Sequence, residues 1–261
     1  MTQLRCMNRT TTAKYYVTNR FVLPSKRTDQ IGNLLKWITG QLAVPPPFPF
    51  LKDPISTMKF LCFSDLHCDQ DAARRLVSRS AEADVVIGAG DFANRHQGIH
   101  DTIDILSAID KPTLLVPGNG ETFEELSAAA SDWRSATVLH GSGCQIEGVE
   151  FWGVGGGIPV TPFGDWSYDF DEMKAKELLA GCPIGGVLVV HSPALDTVDH
   201  DTSGRIRGSQ AIRETVVQKQ PQLVVCGHIH SDWGKQVKLG PSQILNAGPQ
   251  GVFVSLLDSA S

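Results

Sequence analysis

A chain of 261 residues has room for one large α/β domain or two small ones, with a sizeable core. Its hydrophobic content of 41% and charged content of 20% are ordinary for a globular protein, and with no run of about 18 apolar residues no membrane span is expected. The net charge of −5 is unevenly spread: residues 1–57 hold eight Lys/Arg against two acids, whereas the rest holds 15 against 26, and so acidic a body disfavours a nucleic-acid partner.

Residues 1–57 differ from the rest of the chain. They include a polar run at 8–12, the prolines Pro45, Pro46, Pro47 and Pro49, and one apolar stretch at 32–38 that can form a short helix. Three readings stay open: a basic, acid-poor organelle-targeting peptide, a disordered arm, or sequence upstream of a true start at Met58. The segment is therefore set apart from a domain spanning 58–261. A cytoplasmic location is expected, with organelle import only if the first reading holds.

From Met58 the pattern becomes regular. Apolar runs at 58–63, 84–89, 113–117, 186–190 and 222–226 are rich in Val, Ile and Leu and do not alternate, as expected of strands buried on both faces. Amphipathic helices are predicted at 71–83, 99–109, 122–130, 172–179 and 209–219. Short strands with turn signals follow at 136–139, 144–147, 150–154, 234–239, 243–246 and 251–257. Alternating βα units with a hairpin-rich end predict an α/β fold of two packed sheets flanked by helices. Cys62 and Cys226 lie inside apolar runs and read as buried, reduced thiols; with no CxxC pair among the six cysteines, a reducing compartment follows.

The chemistry lies at the carboxyl end of each apolar strand. The five strands end in Ser64-Asp65-Leu66-His67, Gly90-Asp91, Gly118-Asn119-Gly120-Glu121, His191-Ser192 and Gly227-His228-Ile229-His230. Sites in open α/β sheets lie beyond the carboxyl ends of the strands, so one rim receives Asp65, His67, Asp91, Asn119, His191, His228 and His230. Within Asp65-x-His67 and His228-x-His230, residues two apart on an extended chain would point to the same side. A lone Asp at a strand end is usually a turn or helix cap, and a lone His a surface or core residue. Five strands ending this way, with four of the eight histidines at those ends, favour a joint metal site. Four imidazoles, two carboxylates and one amide oxygen, without a thiolate, suit divalent Mn, Fe, Co, Ni or Zn better than Ca. Seven ligands exceed one tetrahedral ion and suit two ions about 3.5–4 Å apart with a bridging carboxylate.

The order DLH, GD, GN, H, GHIH resembles the calcineurin-like metallophosphoesterases over residues 58–257. Flanking segments, among them Gly155-Gly156-Gly157, Thr161-Pro162-Phe163 and Asn246-Ala247-Gly248-Pro249, are similar to predicted phosphoesterases related to the Icc-type cyclic-nucleotide phosphodiesterases. The resemblance implies a four-layer αββα sandwich of two mixed sheets. It implies one metal on Asp65, His67, Asp91 and His230, a second on Asp91, Asn119, His191 and His228, and Asp91 as the bridge. The expected activity is hydrolysis of a small phosphate ester, mono- or diester, with a nucleotide among the candidates, by a hydroxide held between the metals. Asn119 and His191 are then catalytic as well as ligating. The third motif usually reads Gly-Asn-His, and its histidine protonates or stabilises the leaving group; Gly120 carries no proton. That departure keeps a second reading open, a weakly active or inactive metal-bound nucleotide- or phosphate-binding sensor or scaffold. Arg95 and His96 come just after the second motif and are candidates, with Gly120, to face the substrate. The triplet Asp199-His200-Asp201 reads as a polar loop, and Trp152 and Trp166 read as packing residues.

Overall fold

The structure, a computed structural model, describes residues 57–257. The helix expected at 32–38 and the rest of the basic segment before Thr57 lie outside the described residues.

Five strands build the first sheet: β1 (Thr57–Phe63), β2 (Val85–Ala89), β3 (Thr113–Val116), β4 (Ala136–Val138) and β11 (Val252–Leu257), in the order β11-β1-β2-β3-β4. The second holds β5 (Ser142–Ile146), β6 (Val149–Val154), β7 (Val187–Val190), β8 (Leu223–Cys226), β10 (Ser242–Asn246) and β9 (Gln236–Leu239), in the order β5-β6-β7-β8-β10-β9. Each sheet has a parallel centre and an antiparallel edge, β11 on β1 in one, β5 and β9 in the other. Both sheets are thus mixed, as the expected sandwich requires.

Strand alternation assembles the layers. Phe60 and Cys62, Val85 and Ile87, and Leu114 and Val116 face one way and pack with Val187, Val189, Leu223 and Val225 of the opposite sheet. Their neighbours Leu61, Phe63, Val86 and Leu115 face the other way, onto helices α1 (Gln70–Ser80), α2 (Ile99–Leu106) and α3 (Phe123–Ala129). In the second sheet Leu188, Val190, Val224 and Cys226 meet α4 (Glu172–Leu179) and α5 (Gln210–Lys219). A strand buried on both faces has no polar side to alternate with, which explains the continuous apolar runs. Cys62 and Cys226 are buried free thiols, and burial pushes both well above the ordinary thiol range. Asp69, Thr122, Asp171 and Ser209 cap α1, α3, α4 and α5 through side-chain oxygens, fixing where each strand-end loop stops and each helix begins.

The central strands β1, β2, β3, β7 and β8 deliver their carboxyl ends to the loops at 64–67, 90–96, 118–121, 191–193 and 227–230. Those loops are cross-tied through the backbone: Asp65 N donates to Gly90 O, His67 N to Asp91 O, and Gly227 N to His191 O, each at 2.9 Å. The rim is thereby assembled before any side chain is considered.

Candidate metal centre

The seven residues expected from the strand ends meet at this rim. Asp65, Asp91, Asn119 and His191 are buried, His228 is partly so, and His67 and His230 stand at the mouth with side chains 33% and 51% exposed. His67 Nε2 lies 3.1 Å from His230 Nε2 and 3.4 Å from Asp91 Oδ2. His230 Nε2 is 3.7 Å from Asp65 Oδ1. On the deeper side, His191 Nε2 is 3.5 Å from the same Asp91 Oδ2 and 3.2 Å from Asn119 Oδ1, which is 3.0 Å from His228 Nδ1. Asp65, His67 and His230 form one cluster of converging donor atoms, and Asp65, Asp91 and His191 another.

All of these spacings but the 3.7 Å between His230 and Asp65 fit a cation held between the pair. Atoms bound to one ion at about 2.0–2.2 Å lie about 2.8–3.6 Å apart, from octahedral to tetrahedral angles. The hydrogen bonds behind the donors aim their lone pairs inward. His191 Nδ1 donates to the Ala89 carbonyl at 2.8 Å, so whenever the ring is neutral its lone pair is at Nε2, facing two acceptor oxygens. Asn119 Nδ2 donates to Ser167 Oγ at 3.0 Å, which turns its Oδ1 towards the imidazoles. Lone pairs facing lone pairs need positive charge between them. Burial opposes a charge on His191, but the Asp91 carboxylate outweighs it and raises the pKa to about 9, so proton and cation compete for one place. Burial, and His191 beside it, holds His228 down at about 3, so its ring is neutral at ordinary pH. Burial also lowers His230, against the pull of Asp65.

The convergence arises differently from the expected extended-chain alternation. Asp65, His67, Asp91 and His228 have φ values of 56°, 44°, 59° and 68°, and His230 opens a short 3₁₀ turn. Four non-glycine residues in the left-handed region mark a backbone over-determined by its surroundings, a feature that clusters at functional sites. Glycine is needed beside them for room: a Cβ on Gly118 would meet the Asp91 carboxylate at 2.0 Å, and one on Gly227 the Asp65 carboxylate at 2.5 Å.

Sequence reasoning left several supports unassigned. Glu121 is fully buried and accepts from Asp91 N and Gly118 N through Oε1, at 2.9 and 2.6 Å, and from Ala93 N through Oε2 at 2.9 Å. Burial, with the Asp91 charge adding to it, raises its carboxyl to about 7. Its only signal in the sequence was its place within the third motif. Asn246 donates from Nδ2 to Gly227 O and Ile229 O, and Trp233 Nε1 donates to Asp65 Oδ2 at 3.1 Å.

The three substrate-facing candidates separate. Arg95 lines the metal cavity with its guanidinium 4.9 Å above the Trp166 ring. Gly120 lines it too, and its N–H donates to Asp91 Oδ1 at 2.8 Å. His96 turns away: Nδ1 meets Glu125 Oε2 at 2.8 Å and Nε2 meets the Trp166 carbonyl at 2.6 Å. Of the two tryptophans expected to pack, Trp152 does, with Nε1 donating to Leu178 O, but Trp166 stacks on Phe163 over the metal cavity. Asp199 is a loop organiser, accepting from the backbone of Asp196, Thr197 and Gly208.

Two helix-flanked mixed sheets gather carboxylates, imidazoles and an amide at one rim, a donor set that could hold metal ions. The calcineurin-like phosphoesterase family model matches residues 58–232, and the chain belongs to that family. Among solved structures, TT1561 of Thermus thermophilus superposes with a TM-score of 0.61 at 17% identity, over 77% of this chain and 99% of its own. A dimetal phosphatase from Danio rerio gives 0.52 at 13% identity, over 79% and 94%. Phosphopantetheinyl hydrolase from Mycobacterium tuberculosis gives 0.50 at 14%, over 73% and 88%. At such identities the likeness is one of fold. No curated protein matches the sequence. Among the described residues no helix is long and apolar enough to cross a membrane.

Proposed function

We propose that the chain hydrolyses small phosphate esters at a pair of divalent cations, one held by Asp65, His67, Asp91 and His230 and the other by Asp91, Asn119, His191 and His228. The observation that carries the pairing is Asp91. Its Oδ2 stands between His67 Nε2 and His191 Nε2, at 3.4 and 3.5 Å, while Gly120 N–H ties down Oδ1. A single oxygen shared by two ligand sets is what a bridge requires, and a neighbour of like fold is described as a dimetal phosphatase. Such ions supply an activated water at neutral pH and neutralise charge on the phosphoryl group.

The protein's own share is to hold the ester. Arg95, steadied on Trp166, reaches the cavity as a phosphate contact. In the reaction a water oxygen adds to phosphorus and the ester P–O bond breaks. The departing oxygen takes its proton from solvent, because the lining residues that are not metal ligands are Asn94, Arg95, Gly120, Phe163 and Trp166, none of them an acid. Esters with good leaving groups, such as nitrophenyl phosphates, are therefore cleaved far faster than alkyl esters. The sensor reading rests on the same missing acid and predicts metal binding without turnover on either class.

Gly120→His tests this account. A Cβ there would lie 3.1 Å from Ala93 O and 3.2 Å from Asp91 Oδ1, so the ring fits only if the 93–96 loop gives slightly. With metal content unchanged, the alkyl-to-aryl rate ratio should rise about a hundredfold, the low end of what a general acid contributes. An unchanged ratio with the metals in place contradicts the missing-acid account.

A further inference from the structure

Beside the metal cavity lies a second depression of about 400 Å³. The two share Phe163, His228 and His230, so an ester whose phosphate sits at the metal ligands has a direct way into it. Its apolar walls are Pro159, Val160, Pro162 and Phe163 from the loop after β6, Ile206 from the loop after β7, and Ile229 between the two ligand histidines. Val160, Phe163 and Ile206 are 63%, 49% and 50% exposed, and they are three of the seven large apolar side chains that the described surface leaves open. Large apolar side chains gathered along one groove call for a ligand.

Several of the polar groups on these walls are already engaged, although Arg207 spends only its Nε on Asp201. Thr161 Oγ1 is bonded to Asp169 and Ser167, and Ser231 Oγ donates to His200 O at 2.6 Å. Asp201 accepts from Ser203, Arg205 and Arg207. A sugar or nucleobase entering here would find few partners for its hydrogen-bonding groups and would lose those it had in water. An alkyl chain or hydrocarbon ring loses nothing.

We infer that this groove is the subsite for the organic group of the ester, and that the substrate class is a phosphate ester bearing an apolar, alkyl-type chain rather than a nucleotide. The inference rests on the proposed phosphoesterase reading for the position of the phosphate. Phe163, at the partition, sorts the two ends: phosphate towards Arg95 and the ligand rim, hydrocarbon towards Val160 and Ile206.

Alkylphosphonates, which cannot be hydrolysed, test it by calorimetry on Mn²⁺-loaded protein. From methyl- through butyl- and hexyl- to octylphosphonate, the Kd should fall by up to about fourfold per added methylene while the groove fills. Ile206→Ser and Val160→Ser should flatten that series. Turnover of p-nitrophenyl alkyl phosphodiesters, which share one leaving group, should follow the same order in kcat/KM. Phosphonates that bind with no dependence on chain length would overturn the groove assignment while leaving the metal site standing. So would adenosine 5′-monophosphate binding more tightly than octylphosphonate. If no phosphonate binds and no ester turns over with both metals loaded, the phosphoesterase reading itself fails, and the groove assignment with it.

Discussion

The ligand rim and the loops that overhang it are made of different material. At the rim, Asp65, Asp91, Asn119 and His191 are buried, and each donor is aimed by a named hydrogen bond. In the overhang, Val160, Phe163 and Ile206 are exposed, and their loops are held by local side-chain contacts such as Thr161 and Ser167 on Asp169. Metal coordination tolerates errors of only a few tenths of an ångström, so its supports must lie in the dry, close-packed interior. A surface that sorts substrates by their organic group has no such need and sits on loops, where it can vary without touching the chemistry. Changes at the ligands and the groups that brace them should act on metal and rate together, and changes in the overhang on preference alone.

Asp91→Asn should have the largest effect. It removes the charged oxygen between the two ligand sets, so metal content at both positions should fall together, and kcat/KM with it by about a thousandfold. Elemental analysis finding both metals still bound would contradict the shared-oxygen assignment. Glu121→Gln comes next. Three backbone N–H groups point at this carboxylate, and in either orientation the amide sets its own N–H against a donor. A loss of about 10- to 100-fold in metal affinity is expected, the size seen when outer supports of ligands are removed. An unchanged metal titration would show that Asp91 needs no buttress.

The smallest effect belongs to His96, which ties the rim loop at 90–96 to the Trp166 carbonyl of the overhang. Glu125 and the Trp166 carbonyl can only accept, so His96 makes both of its hydrogen bonds as an imidazolium. The Glu125 bond raises its pKa above the ordinary 6.5. A group raised in the folded state stabilises fully below its unfolded pKa, and that stabilisation is lost as pH rises through the folded value. For this partly exposed pair it is worth less than about 1 kcal/mol. His96→Gln should therefore lower urea resistance at about pH 5.5 and leave it unchanged at about pH 9. A deficit that grows towards alkaline pH would reverse the assignment.

Much of this was legible in the sequence because the same constraint shaped both levels. Strands buried on both faces read as unbroken apolar runs, and polar residues placed right after them can only belong to the rim; that is how Asp65, Asp91, Asn119, His191 and His228 announced themselves. The manner of their convergence was not legible. Left-handed turns at Asp65, His67 and Asp91 are imposed by neighbouring loops, such as Asp65 N on Gly90 O, that are remote in sequence. Trp166 read as packing because nothing local says that the loop after β6 folds back until Tyr168 N bonds Asn119 O at 3.0 Å. His96 read as substrate-facing because the pull of Glu125, on α3, is a tertiary fact.

The central claim is that one oxygen of Asp91 joins two metal sites. Electron paramagnetic resonance of the protein reconstituted with two Mn²⁺ per chain tests it most directly, since ions joined through a shared oxygen are magnetically coupled. The account predicts an exchange-coupled multiline spectrum in the wild type, lost in Asp91→Asn. A simple six-line spectrum of isolated Mn²⁺ at full loading of the wild type would contradict it.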